Sequence, residues 1–274
     1  MDTTKMRTWA EIDLSALEHN YRALRAMLPV GCRFLGVCKA NAYGHGAVPV
    51  AQKLEQLGAD MLAVACVDEA RELRQAGITL PILCLGNTPV ELAPMLLEYQ
   101  VTQAVGDLAT GQALSDAAVA AGKTLTIHVK LDTGMSRLGF LWQGEQTARE
   151  IARLCALPGL KAEGMFTHFA DADSSEEYTM GQLTKFLDAR AALEKLGVTF
   201  QICHCGASGA VLNYPCTHMD MVRPGIALYG YYPAPEMEGL DGPGLRPVMT
   251  VKSRIAAVRE LPAGTCAVSY THLT

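Results

Sequence analysis

The sequence predicts an α/β fold, a TIM-type (β/α)8 barrel followed by the start of a β domain. Three observations carry this reading. Short apolar runs alternate with stretches of helical periodicity along most of the 274 residues. Eight such runs recur, at a spacing of roughly 20 to 40 residues. The alternation then stops after Gly230. A doubly wound open sheet is the alternative, because strand order is not written in a single sequence.

The first helix is expected over Leu14 to Leu28, with Asp13 or Ser15 accepting its free N–H groups. The strands follow as "RFLGVC", "MLAVA", "ILCLG", "TQAVG", "TIHVK", "AEGMFTH", "QICHC" and "DMVRP". Runs so short and so apolar suit strands covered on both faces. Between them, Ala47 to Leu57, "DEARELRQAG", "PVELAPMLLEYQ", "TGQALSDAAVAAG" and Gln146 to Leu157 place apolar residues at helical spacing. Residues 14–230 are therefore assigned to the barrel. From Tyr231 to Gly244, "YYPAPEMEGLDGPG" has the proline and glycine content of a linker. Beyond it "VMTVKSRIAAVREL" alternates with period two, and "GTCAVSY" starts another strand. A lone pair of strands is marginally stable, so residues 231–274 read as a linker and the truncated beginning of a β domain.

Composition narrows the classes. Half the residues are hydrophobic, enough for a sizeable core. The apolar runs break within about ten residues, against the ~20 needed to span a bilayer. Nothing at the start has the form of a signal peptide, so no membrane partner is expected. A net charge of −5 without any Lys/Arg cluster argues against nucleic acid. Several of the nine cysteines, Cys38, Cys66 and Cys84 among them, sit in or beside strand-like runs. They read as free thiols in a reducing cytoplasm.

Barrel chemistry sits at the carboxyl ends of the strands. Those ends carry Lys39, Asp132 to Arg137, His168, Ser208, and Arg223 to Gly225. Taken singly, each has a plain reading: a solvated lysine, a structural histidine, an arginine capping a turn. Five groups at the matching ends of five strands make the functional reading the stronger one. Lys39 is the most pointed, because burial lowers an ammonium pKa and makes the amine nucleophilic. Cys203, His204 and Cys205 alternate across a strand and face different sides, so they are not expected to close on a metal. No CxxC or HxxxH pair is present to complete a tetrahedron, and no GxGxxG follows the first strand.

Six segments then resemble one family: "WAEIDLSALEHNYRAL", "VCKANAYGHG", "VKLDTGMSRLGF", "THFADAD", "MVRPGIALYG" and "VSY". From Trp9 to Tyr270 the chain resembles the alanine racemases, pyridoxal-phosphate enzymes with a barrel and a β domain. The resemblance implies pyridoxal 5'-phosphate as cofactor and Lys39 as its Schiff-base lysine and one acid/base. Tyr270 is implied as the second acid/base, contributed across a homodimer with shared active sites. Tyr43, Ser208, Gly225 and Ile226 are implied in holding the phosphate, and His168 in facing the ring. Arg137 is implied in binding the substrate carboxylate, and Lys130 in carrying a carbamyl group. Arg223 is implied at the pyridine nitrogen, where a donor-only group leaves the ring unprotonated and a weaker electron sink. Residues 1–13 are implied to contain a strand pairing with the β domain. Near Ser208 the sequence reads "HCGASGA", where relatives commonly have an Asn before the Ser.

The implied activity is racemisation of alanine by a lysine/tyrosine pair, supplying D-alanine for peptidoglycan. Alternatives are a serine or broad-specificity racemase, a pyridoxal-dependent decarboxylase, and a non-catalytic pyridoxal-phosphate barrel. "RPGIALYG" argues against the decarboxylase, which typically sets a glutamate at the pyridine nitrogen.

Overall fold

Asp13 opens the first helix of the barrel. One carboxylate oxygen accepts from the N–H groups of Ser15 (2.8 Å) and Ala16 (3.1 Å), so the aspartate rather than the serine is the cap. The helix Leu14–Ala26 then buries Ala16, Leu17, Asn20, Tyr21 and Leu24, one stripe of an amphipathic helix. This geometry comes from a computed structural model, which describes residues 5–237 and 242–266.

The strands are β1 (Thr8–Ile12), β2 (Arg33–Val37), β3 (Met61–Val64), β4 (Ile82–Cys84), β5 (Val101–Val105), β6 (Leu125–Asp132), β7 (Phe140–Leu141), β8 (Leu160–Phe166), β9 (Ile202–His204), β10 (Met221–Val222) and β11 (Met249–Ser253). Strands β2 to β6, β8, β9 and β10 are parallel neighbours, with β10 returning to pair with β2. The remaining seam, β9 to β10, is joined by a bridge between Ala207 and Arg223. There the Arg223 N–H reaches Gly206 O at 2.9 Å and the Asp220 N–H reaches Cys203 O at 3.2 Å. This closure makes the fold a barrel and excludes the open sheet. The small β7 pairs with the end of β6.

The barrel interior is chemically divided. Leu35, Val37, Met61, Ala63, Leu83, Ile202 and Met221 form one buried apolar cluster. His128, Lys130, His204 and Arg223 are buried with Phe166 among them. The apolar part anchors the fold, since each fully buried Leu contributes roughly 1.5–3 kcal/mol. The polar part rises toward the strand ends where the candidate residues stand.

By its contacts the chain divides into Asp13–Val248 and a smaller unit formed by the stretches on either side. Within the larger unit, Asn20 donates to Leu228 O and Arg246 O and accepts from Arg246 N–H. Residues 246–248 are thereby fastened along the first helix. In the smaller unit β1 and β11 pair antiparallel, from Thr8 opposite Ser253 to Ile12 opposite Met249. Glu11 meets Lys252 at 2.7 Å, and the Arg254 guanidinium lies 5.4 Å over the Trp9 ring.

Candidate active site

A cavity of about 320 Å³ opens at the carboxyl ends of the barrel strands. Lys39, Tyr43, Lys130, Arg137, His168, Ser208, Arg223, Gly225 and Ile226 all line it. Every proposed cofactor or substrate residue of the sequence reading except Tyr270 therefore meets at one place. Tyr270 lies outside the described residues.

Lys39 follows β2 and leads into a turn of unusual hand. Ala40, Asn41, Ala42 and Tyr43 have φ of 52°, 52°, 53° and 53°. This is a left-handed turn, which costs L-residues roughly 1–2 kcal/mol each. It is held by Ala42 N–H to Cys38 O (2.8 Å) and Gly44 N–H to Ala40 O (3.0 Å). Glu69 clamps it from outside: one carboxylate oxygen accepts from Ala40 N–H and the other from Ala65 N–H, both at 2.7 Å. The Asn41 side chain accepts from Ala47 N–H at 2.7 Å and so starts the next helix. Burial lowers the Lys39 pKa first and the Arg137 charge lowers it further, while Glu69 opposes both. The shift is toward the neutral, nucleophilic amine. Cys38 is fully buried and pushed up to about 12, so it is an inert neighbour.

The turn brings Tyr43 against Gly225. A Cβ at Gly225 would lie 2.6 Å from the Tyr43 hydroxyl oxygen, so glycine lets the phenol come this close without being displaced. Beside it the buried Ser208 Oγ accepts from the N–H groups of Gly225 (3.0 Å) and Ala227 (3.2 Å). Hydroxyls and main-chain amides thus converge on a small cradle that a Cβ would fill. Such donor sets hold phosphate oxygens.

Around the cradle the charge is positive. Arg223 is buried, and burial pushes it down to about 10. Its Nη1 donates to His204 Nδ1 (2.8 Å), and its Nη2 to Thr167 O (2.7 Å), Cys205 O (3.1 Å) and His168 Nδ1 (3.3 Å). His168 is held neutral, far below its ordinary pKa, by burial and by the charges of Arg223, Lys130, Arg137 and Lys39. Lys130 donates to Leu131 O at 3.2 Å and is pushed down to about 7, chiefly by burial and then by Arg223. Arg137 stands on a loop ordered by Asp132, whose Oδ1 accepts from Gly134, Met135 and Ser136 N–H at 2.9–3.1 Å. Tyr178 pins the same loop by donating to Gly134 O at 2.6 Å. Four basic side chains around one cavity call for a ligand with more than one negative charge.

Sequence reasoning missed Phe166 and its partners. The ring is stacked on His204 with centroids 4.8 Å apart, and its face meets Lys130 Nζ at 5.1 Å and the Arg223 guanidinium at 5.2 Å. Both residues fall in predicted strands, but nothing local reveals that they would meet. Among the described residues, no three His, Cys, Asp or Glu side chains are grouped to hold a metal ion.

The profile of "Alanine racemase, N-terminal domain" matches residues 12–233. The alanine racemase of Desulfovibrio desulfuricans is 46% identical over 258 residues, covering 93% of this chain and 68% of that protein. That of Desulforamulus reducens is 43% identical, covering 94% of this chain and 69% of the relative. Among solved structures, the alanine racemase of Clostridium difficile 630 in complex with cycloserine superposes with a TM-score of 0.90 at 42% identity. It is covered over 93% of this chain and 70% of that one. Profile, identity and superposition all span the strand ends on which Lys39, Arg137 and Arg223 stand, and the chain belongs to the alanine racemase family.

Proposed function

We propose that this chain interconverts L- and D-alanine with pyridoxal 5'-phosphate as cofactor and the residues of the cationic cavity as its machinery. The observation that carries this is one cavity joining a nucleophilic lysine, a glycine-permitted phosphate cradle and a buried donor-only arginine. Bound there, pyridoxal phosphate supplies an aldehyde and a conjugated ring that draws electron density from the α-carbon of an amino acid.

The rest is work for the chain's own side chains. Tyr43, Ser208, Gly225 and Ile226 would hold the phosphate, and His168 would hold the ring. Arg223 has only N–H donors, so a ring nitrogen placed at it would accept and stay unprotonated. Lys39 Nζ would hold the cofactor at its aldehyde carbon, and the same amine would hold the α-proton on one face of the substrate. Arg137 orients the substrate carboxylate. Tyr270, from the partner subunit of a head-to-tail homodimer, moves the proton on the opposite face. Lys130, with its pKa near neutrality, offers the unprotonated amine that adds carbon dioxide with loss of a proton. The resulting carbamate anion would steady Arg137. β1 and β11 are read as the first strand pair of a β domain, with β1 supplied by residues 1–13 and the linker and the beginning of that domain by residues 231–274.

No helix among the described residues is long and apolar enough to cross a membrane. With the free cysteines, that supports a place in the reducing cytoplasm, where D-alanine feeds peptidoglycan synthesis. The test is borohydride reduction of the cofactor-loaded chain followed by peptide mapping. The pyridoxyl label is expected on the peptide containing Lys39 and absent from Lys39→Ala, and label on Lys130 instead would refute the assignment. Polarimetry with L-alanine and L-serine then separates an alanine from a serine racemase, and carbon dioxide release would point to a decarboxylase.

A further inference from the structure

Two histidines inside the barrel have no part in the proposed reaction. His128 on β6 and His204 on β9 are fully buried. His128 Nδ1 lies 2.9 Å from His204 Nε2, and His204 Nδ1 lies 2.8 Å from Arg223 Nη1. Guanidinium only donates, and this settles both tautomers. His204 Nδ1 must accept, so its proton sits on Nε2 and is given to His128 Nδ1. His128 Nδ1 then accepts, and its own proton sits on Nε2. That proton makes no hydrogen bond in this geometry and faces Glu163, an acceptor whose Oε2 is 3.5 Å away.

The backbone is shaped for this contact. In the β6–β8 ladder Ile127 pairs with Ala162 and His128 with Gly164, so Glu163 is the extra residue of a β-bulge. Bulges re-aim side chains. Gly164 gives the ring its space: a Cβ there would lie 2.7 Å from His128 Cε1. Glu163 keeps its second oxygen for Lys161, 3.7 Å away at the surface. The protonation states agree with the geometry. Burial holds His128 below its ordinary pKa and His204 well below it, while the nearby His128 holds Glu163 low and ionised.

We propose that Glu163, His128 and His204 form a one-way hydrogen-bond chain that positions Arg223 and gives its buried charge a remote counter-anion. All donors point from the guanidinium toward the carboxylate. The three are positioning residues, and the proposal rests on the reading that Arg223 faces the cofactor's ring nitrogen. Each link polarises the next, so losing the carboxylate weakens the hold on Arg223 and alters the hydrogen bond it gives to the ring.

The first measurement needs no cofactor. Long-range 1H–15N correlation spectra of the histidine-labelled chain are expected to show His128 and His204 neutral with the proton on Nε2. A proton on Nδ1 of either ring, or a doubly protonated ring at pH 7, would overturn the chain. The second uses 15N-labelled pyridoxal phosphate bound to the protein. Glu163→Gln and His128→Leu should each move the ring-nitrogen resonance downfield, as should Arg223→Gln by a larger amount, while Glu163→Asp restores it. Movement in the Arg223 variant alone overturns the chain and leaves the site reading standing. Movement in none of them overturns the site reading, and the chain with it.

Discussion

Lys130 is an ammonium group deprived of water with few anions to replace it. Its side chain is 6% exposed, it sits against the Phe166 ring, and Arg223 adds repulsion. In the unfolded chain it is an ordinary lysine with a pKa near ~10.4; folded, it is pushed down to about 7. Because the folded pKa is the lower one, the unfolded state binds the extra proton between pH 7 and 10, and stability gained from this residue rises with pH. Replacing it with methionine, of similar length and no charge, should therefore raise stability at pH 7 by a few kcal/mol, roughly 2–4. The gain should shrink as pH approaches 10. Urea unfolding of the cofactor-free chain in buffer freed of carbon dioxide, so that the amine is unmodified, checks this at the two pH values, and an unchanged midpoint at pH 7 would show the residue to be solvated.

At the level of elements, the left-handed turn after β2 is the segment under most backbone strain. Ala40 is exposed and makes no use of its methyl group, so Ala40→Gly should remove the steric cost and stabilise the chain by about 1 kcal/mol. Ala40→Val should destabilise it by at least as much, both measurable as shifts in the urea midpoint. The sequence gives little warning of this turn, since "KANAY" is alanine-rich and reads as the start of an ordinary right-handed helix. The eight barrel strands were legible, because strands covered on both faces leave continuous apolar runs. The helix Ala47–Leu57 was legible to the residue. The two-residue β7 was not, being too short to carry any period. The site was legible as a set of strand ends bearing Lys39, Arg137, His168, Ser208 and Arg223. Its interior was less so: His128 and His204 fall in predicted strands, yet only closure of the barrel shows that they point inward and touch.

Over the whole molecule the barrel spends its interior unevenly, apolar around Leu35, Met61 and Leu83, polar around His128, His204 and Arg223. The polar region makes the fold sensitive to acid. His128 and His204 have folded pKa values below the ordinary one, the second far below, chiefly through burial. The unfolded chain protonates both near pH ~6.5 while the folded chain resists, so stability falls as pH drops through that value. Both histidines act in the same direction, and His204, with the larger shift, contributes more. Calorimetry of the cofactor-free chain should find a lower Tm at pH 5 than at pH 8. A flat or reversed trend would show that water reaches the two rings in the folded state.

The turn at Ala40 to Tyr43 has one more consequence, which concerns mirror images. Its dihedral angles are those in which a D-residue rests without a clash between Cβ and the neighbouring carbonyl oxygen. A D-alanine at position 40 or 42 would keep the methyl group while losing the steric penalty of the L-form. The backbone that carries Lys39 into the cavity is therefore locally folded in the handedness of a D-residue. Ribosomal synthesis supplies it only with residues of the opposite hand.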